Sequence, residues 1–248
     1  MSQFVETPEV RNARIELAAC FRMAARMGMH EGICNHFSAV VPGYDDLFLV
    51  NPLGLSFDEI TASNLLICNY DGRVIAGSGK PESTAFFIHA RVHAKHPGAA
   101  ACFHVHSVNG TALCMVDGEP FSWSSQTSLR YYNRLAVDKE FGGLALDEQE
   151  GDRIASALGK AKVIFLKNHG VMVVGRTIAE AWDDLYFVEK SAELECRALS
   201  LGRPLMPVSK EVAEATAQQF ERFFEEAARL HLDSVRRRLD VVEPDYKD

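Results

Sequence analysis

No two cysteines in this chain are spaced as C-x-x-C. The six that occur, Cys20, Cys34, Cys68, Cys102, Cys114 and Cys196, are scattered over 248 residues, which argues against a disulfide framework or a cysteine-based zinc or redox motif. Cys68, Cys102 and Cys114 sit in apolar runs, as free buried thiols do. No apolar run approaches the ~18 residues that a membrane span needs, and no charged-then-apolar leader opens the sequence. An excess of positive charge is missing too. The formal net charge is −8, which speaks against nucleic acid or an anionic membrane as the main partner. The one basic run, Arg236-Arg237-Arg238, lies among acids and reads as a solvated helix face. These absences point to a cytoplasmic protein with a small-molecule partner.

With 47% hydrophobic residues the chain is long enough for one large core, although length alone also allows two domains. No internal repeat and no linker divides residues 1–248. Thr7 as cap, Pro8 at the first helical position and Gly28 just past the end punctuate a first helix, with Val10, Leu17, Phe21 and Ala24 as its core stripe. His30 to Val41 reads as a polar loop running into a strand. Asp46 to Val50 is a short strand ended by Asn51-Pro52-Leu53-Gly54. Leu65 to Tyr70 and Arg73 to Ala76 flank the hairpin dipeptide Asp71-Gly72. Gly77-Ser78-Gly79-Lys80 is not a phosphate loop, because Val74 and Pro81 occupy the positions that need Gly and Ser/Thr.

Pro81 to His96 reads as a helix with Ser83 or Thr84 near its start, and Val108 to Met115 as another. Asp117 to Gly143 reads as irregular and aromatic-rich, the kind of segment that covers a site or an interface. A short helix from Asp147 to Gly159 follows, then strands over Val163–Leu166 and Val171–Val174. A long amphipathic helix opens at Thr177 with Glu180 as a capping box, and a final helix covers about 210–239.

The chemistry concentrates in histidines. In Cys102-Phe103-His104-Val105-His106-Ser107, strand alternation puts His104 and His106 on one face, where two imidazoles can hold one metal ion. His169, at the turn Asn168-His169-Gly170, is the natural third ligand. An imidazole in an apolar strand is costly unless something satisfies it, and three protein ligands with an open position are the pattern of a catalytic zinc site. Imidazole also suits iron and manganese. His89 and His93, four apart on a helix, could bind metal as well; the plainer reading of His93 and His96 is as cations complementing a helix C-terminus.

These motifs, with Asn35-His36-Phe37-Ser38, Asn51-Pro52-Leu53-Gly54, Lys80-Pro81-Glu82-Ser83-Thr84 and Gly175-Arg176-Thr177-Ile178-Ala179-Glu180-Ala181, resemble the class II aldolase/adducin family over most of the chain, from the first helix (about residue 9) to about Leu201. The resemblance implies an α/β fold, a three-layer α/β/α sandwich around a mostly antiparallel sheet. It also implies a homotetramer with sites at subunit interfaces, and a divalent metal, usually zinc, on His104, His106 and His169. It further implies substrate binding by Asn35, whose plainer role is to cap a local turn, and by Ser83 and Thr84, and tyrosines from a neighbouring subunit, for which Tyr131 and Tyr132 are candidates, core or interface packing being the plainer role of each.

The family's catalytic glutamate falls on Ala85, and its phosphate-binding turn threonine on Leu53. Both are departures, and the pattern Ser83-Thr84-Ala85-Phe86-Phe87-Ile88-His89 is nearer the adducin-like branch, where the glutamate is also absent. The proton carrier is then sought in Glu82, read either as a replacement base or as an exposed first-turn acid, or in His89, read either as a pocket residue or as a buried structural one. The expected activity is a metal-dependent lyase acting on a small oxygenated or keto acid, by aldol cleavage or decarboxylation. The alternatives are a non-catalytic adducin-like binding module and iron-dependent oxygen chemistry on the same scaffold.

Overall fold

The computed structural model describes residues 4–144 and 147–248. Helix α1 (Pro8–Arg26) begins where the Thr7 hydroxyl accepts from the Val10 N–H at 3.3 Å. Strands β1 (His36–Val40), β2 (Leu47–Val50), β3 (Leu66–Asn69) and β4 (Val74–Ala76) follow, then α2 (Ser83–Lys95), β5 (Ala101–Val105) and α3 (Val108–Cys114). The chain continues through β6 (Leu135–Asp138), α4 (Glu148–Leu158), β7 (Val163–Leu166), β8 (Gly170–Gly175), α5 (Ile178–Ser200) and α6 (Lys210–Val242). The eight strands form one sheet in the order β4-β3-β2-β1-β5-β8-β7-β6. Every pairing is antiparallel except β6 with β7.

The sheet buries both faces, and strand alternation sorts its side chains between them. Phe37, Phe103, Val105, Val171 and Val173 face the larger core, built with α1, α5 and α6 through Phe21, Trp182 and Leu232. Phe37 stacks on Phe103 at 4.1 Å and on Phe21 at 4.7 Å between ring centroids, each ring being worth about 2–3 kcal/mol by burial. On the opposite face, Cys102, Ile164, Met172 and Val174 pack against Ile88 and Val92 of α2 and Ile154 and Leu158 of α4. A separate cluster gathers Phe48, Val50, Leu66 and Cys68 around Ala90. The fold is therefore the expected layered α/β sandwich. Among the described residues, no helix is long and apolar enough to cross a membrane.

Several local expectations need correction. Residues 117–143 are not wholly irregular: they contain a 3-10 turn (Ser128–Tyr131) and strand β6. Helix α2 starts at Ser83 rather than Pro81, and its cap is Glu82, whose carboxylate accepts from the Ala85 N–H at 2.8 Å. The Thr177–Glu180 box is only half closed, because the Glu180 carboxylate takes the Arg176 N–H. His93 and His96 are not helix-end cations. Burial lowers both below the ordinary histidine range, His93 to about 4. Tyr131 is packed in the core, its hydroxyl donating to the Asp184 carbonyl at 3.0 Å. Tyr132 is half-buried against Trp123.

Candidate metal centre

Strand β5 ends at Val105, so His104 lies in the strand and His106 immediately beyond it, two residues apart on one side. The third imidazole arrives from the turn between β7 and β8. Asn168 there has φ +58°, a left-handed conformation that Asn tolerates better than most residues. The buried Lys167 ammonium holds the preceding backbone by donating to the carbonyls of Val116 and Gly118 at 2.5 and 3.0 Å. Gly170 permits the approach of β8: a Cβ there would lie 2.6 Å from the Val105 carbonyl oxygen and 2.7 Å from His106 Cδ2. Each residue of Asn168-His169-Gly170 thus has a separate physical reason, a reversal, a ligand and a close contact.

One nitrogen from each of His104, His106 and His169 lies within 4.8 Å of the others. Their protonation follows from their partners. His104 Nδ1 donates to the Val171 carbonyl at 3.0 Å, and His106 Nδ1 donates to Glu31 Oε2 at 2.7 Å. In the neutral tautomers so oriented both Nε2 atoms carry lone pairs, and they face each other at 3.0 Å. Neither has a proton to share in these tautomers, so the approach is repulsive unless a cation lies against both. Burial drives His104 well below the ordinary histidine range, with the neighbouring imidazoles adding to it. Burial, then His106, lowers His169 to about 4. The neutral imidazole is the form that ligates metal. Three converging imidazoles, two oriented from behind by a carbonyl and a carboxylate, fit a divalent ion with an open position.

The three histidines line a cleft of about 670 Å³ whose walls include Ile33, Leu53, Phe141 and Leu144 on the apolar side and Glu31, Glu82 and Thr84 on the polar side. Phe141 brings the aromatic segment to 6.5 Å from His169. Glu82 reaches the cleft, but its carboxylate is engaged in the α2 cap and also accepts from the Thr84 hydroxyl. Ser83 is exposed outside the cleft. Asn35 is buried: its Oδ1 accepts from the N–H groups of Glu31 and His106 at 2.8 and 3.3 Å, and its Nδ2 has no partner among the described residues. Ala85, at the position where the resemblance puts a glutamate, is fully buried. His89 is also fully buried and meets the cleft only through His36, whose Nδ1 lies 2.8 Å from His89 Nε2.

Sequence reasoning missed three residues of this centre. Glu31 orients His106 across 75 residues. His36 lies directly opposite His104 in the β1–β5 register. Glu189 of α5 gathers the segment after His106, accepting from the Ser107 hydroxyl at 2.6 Å, the Gly110 N–H at 3.0 Å and the Asn109 amide at 2.8 Å.

Residues 15–196 match the sequence model of the class II aldolase and adducin N-terminal domain. This chain belongs to the class II aldolase/adducin family. A Caulobacter vibrioides protein named for the aldolase class 2 group is 37% identical over 203 residues, 82% of this chain and 78% of that one. The decarboxylase NovR of Streptomyces niveus is 30% identical over 205 residues, 82% of this chain and 75% of that one. The crystal structure of an aldolase II superfamily protein from Pseudomonas syringae superposes with a TM-score of 0.92 at 31% identity, covering 98% of both chains. In this class II aldolase/adducin member, the family's fold and the convergent histidine triad occur together.

Proposed function

We propose that this protein is a metal-dependent carbon–carbon lyase acting on a small oxygenated or keto acid. The observation that carries the reading is the convergence of His104 Nε2 and His106 Nε2, held 3.0 Å apart, with His169 in an open cleft. His104, His106 and His169 would hold the ion, zinc by the match of ligand set and open position, with manganese and iron served by the same imidazoles. When bound, the ion supplies a Lewis acid that stabilises the enolate left when a carbon–carbon bond breaks. The protein's share is orientation: Glu31 and the Val171 carbonyl fix the ligand rings, and the apolar wall of Ile33, Leu53, Phe141 and Leu144 limits water at the reacting carbon.

Decarboxylation is favoured over sugar-phosphate cleavage. The glutamate position is the buried Ala85, and the nearest carboxylate, Glu82, is engaged in a helix cap. Decarboxylation needs no base to start, only a late protonation. The 30% identity to a decarboxylase points the same way. Thr84, at the cleft wall, and Asn35, under His106, are assigned to substrate placement, directly and through the loop respectively. Ser83 is assigned to the outer rim.

The assembly we infer is a homotetramer, with Val108, Met115 and Leu201, each more than two-thirds exposed, as apolar contact surface. Six free thiols suit a reducing compartment, the cytoplasm. The test is zinc-reconstituted protein against a panel of keto acids, hydroxy acids and aromatic carboxylates, with 3-keto acids and 3-hydroxy-keto acids included because their cleavage leaves an enolate, following CO₂ and aldehyde. Release that is lost in His106→Ala is expected. A fully zinc-loaded protein silent across the panel overturns the lyase reading in favour of a binding module.

A further inference from the structure

Behind the triad lies a second set of imidazoles that this chemistry leaves unused. His36 stands across the strands from His104, with ring centroids 5.0 Å apart. On the same face and beneath α2, the polar atoms form a single file. His93 Nδ1 meets the Ala99 carbonyl oxygen at 2.5 Å, and Ser38 Oγ lies 2.6 Å from His93 Nε2. Ser38 Oγ also bonds His89 Nδ1, and His89 Nε2 lies 2.8 Å from His36 Nδ1. All four side chains are buried, and they separate the two apolar clusters on this face of the sheet.

The direction of this file can be worked out from one end. A carbonyl only accepts, so His93 Nδ1 carries the proton. The rings of His36, His89 and His93 are all buried and, among the described residues, none has a carboxylate as hydrogen-bond partner, so each is a neutral imidazole with one proton. His93 Nε2 therefore accepts, and the donor is the Ser38 hydroxyl. The alternative acceptor for that hydroxyl, the Cys102 carbonyl at 3.4 Å, is longer and would leave His93 Nε2 buried without a donor. With its only proton spent, Ser38 Oγ accepts from His89 Nδ1–H. His89 Nε2 then accepts from His36 Nδ1–H. His36 is left with an unprotonated Nε2, and it is the member of the file that lines the cleft.

We propose that His36 is a specificity-determining residue, locked as the Nδ1–H tautomer so that its Nε2 accepts a hydrogen bond from a hydroxyl of the bound substrate, with Ser38, His89 and His93 as the positioning residues that impose this tautomer from the Ala99 carbonyl. The substrate class is thereby narrowed to acids carrying a hydroxyl, since a simple keto acid offers no donor. This narrowing rests on the small-acid reading of the cleft, but the tautomer itself does not.

The test is imidazole ¹⁵N NMR on zinc-loaded protein with labelled histidine, which reports tautomers without any turnover. His36 is expected as a single Nδ1–H form in the wild-type protein and in Ser38→Thr, and as a mixture in Ser38→Ala. L-Lactate, used as probe, is expected to shift the His36 Nε2 resonance and to bind about tenfold more tightly than pyruvate, the usual worth of one well-made hydrogen bond. Observation of His36 as Nε2–H, or equal effects of lactate and pyruvate, overturns the proposal, whether or not the protein releases CO₂. A silent substrate panel with the tautomer and the lactate shift intact overturns the lyase reading alone.

Discussion

Acidification from pH 7.0 to 5.5 should destabilise the metal-free protein, and the size of the loss can be worked from the buried groups. His36, His93 and His169 are held at about 3, 4 and 4 by burial, whereas the unfolded chain takes up these protons near pH 6.5. A histidine whose folded value is depressed leaves the unfolded state binding more protons as the pH falls. Stability is therefore full above about 6.5 and is lost on the way down. By linkage, each of the three costs about 1.3 kcal/mol over this interval, about 4 kcal/mol together. Asp184 opposes them: burial raises it to about 7, so the folded state gains its proton over the same interval and recovers about 2 kcal/mol. The net loss is about 2 kcal/mol, and His89 and His104, shifted in the same direction as the other histidines, add to it. The assay is urea unfolding of chelator-treated protein followed by circular dichroism at the two pH values. Asp184→Asn removes the opposing group and should enlarge the loss by about 2 kcal/mol. Stability that is flat or rises on acidification would refute the assignment of these histidines as buried neutral groups.

Two further predictions concern the construction of the triad. Gly170→Ala drives a methyl group to 2.6 Å from the Val105 carbonyl oxygen and 2.7 Å from His106 Cδ2. Thermal unfolding should show a loss of about 1–3 kcal/mol, and a chelator competition should show weaker zinc binding; wild-type values in both would contradict the close approach. Glu31→Gln weakens the group that orients His106 through its Nδ1, so zinc affinity should fall by about 10–100-fold with little change in urea stability of the metal-free protein.

The parts of the fold most legible in the sequence are those set by local chemistry. The α1 boundaries follow from Thr7, Pro8 and Gly28, and the β3–β4 hairpin from Asp71-Gly72. His104 and His106 were readable because period two is intrinsic to a strand, and His169 because its turn sits between two apolar runs. Strand β6 was not readable. Leu135–Asp138 is a short edge strand, half-buried for most of its length, whose parallel pairing with β7 is set by the intervening α4.

The role of His36 depends on the β1–β5 register, His36 opposite His104. Alternation along β1 puts His36 and Ser38 on one face but says nothing about what stands across from them. His93 misled for a related reason: a histidine in the last turn of a helix reads as a cation, and only the packing of α2 over Ser38 and Ala99 makes it a neutral buried donor and acceptor. Glu31 and Glu189 act across 75 and 82 residues, and no spacing rule within a strand or helix reaches that far.

The central claim is that His104, His106 and His169 form a metal centre, and elemental analysis tests it most directly. Protein dialysed against zinc and then freed of loose metal is expected to retain about one zinc per chain, the content of a three-histidine site with an open position. The variant carrying His104→Ala, His106→Ala and His169→Ala is expected to retain none while keeping its circular dichroism spectrum. Wild-type protein without stoichiometric metal, or a folded triple variant that still holds it, would contradict the account.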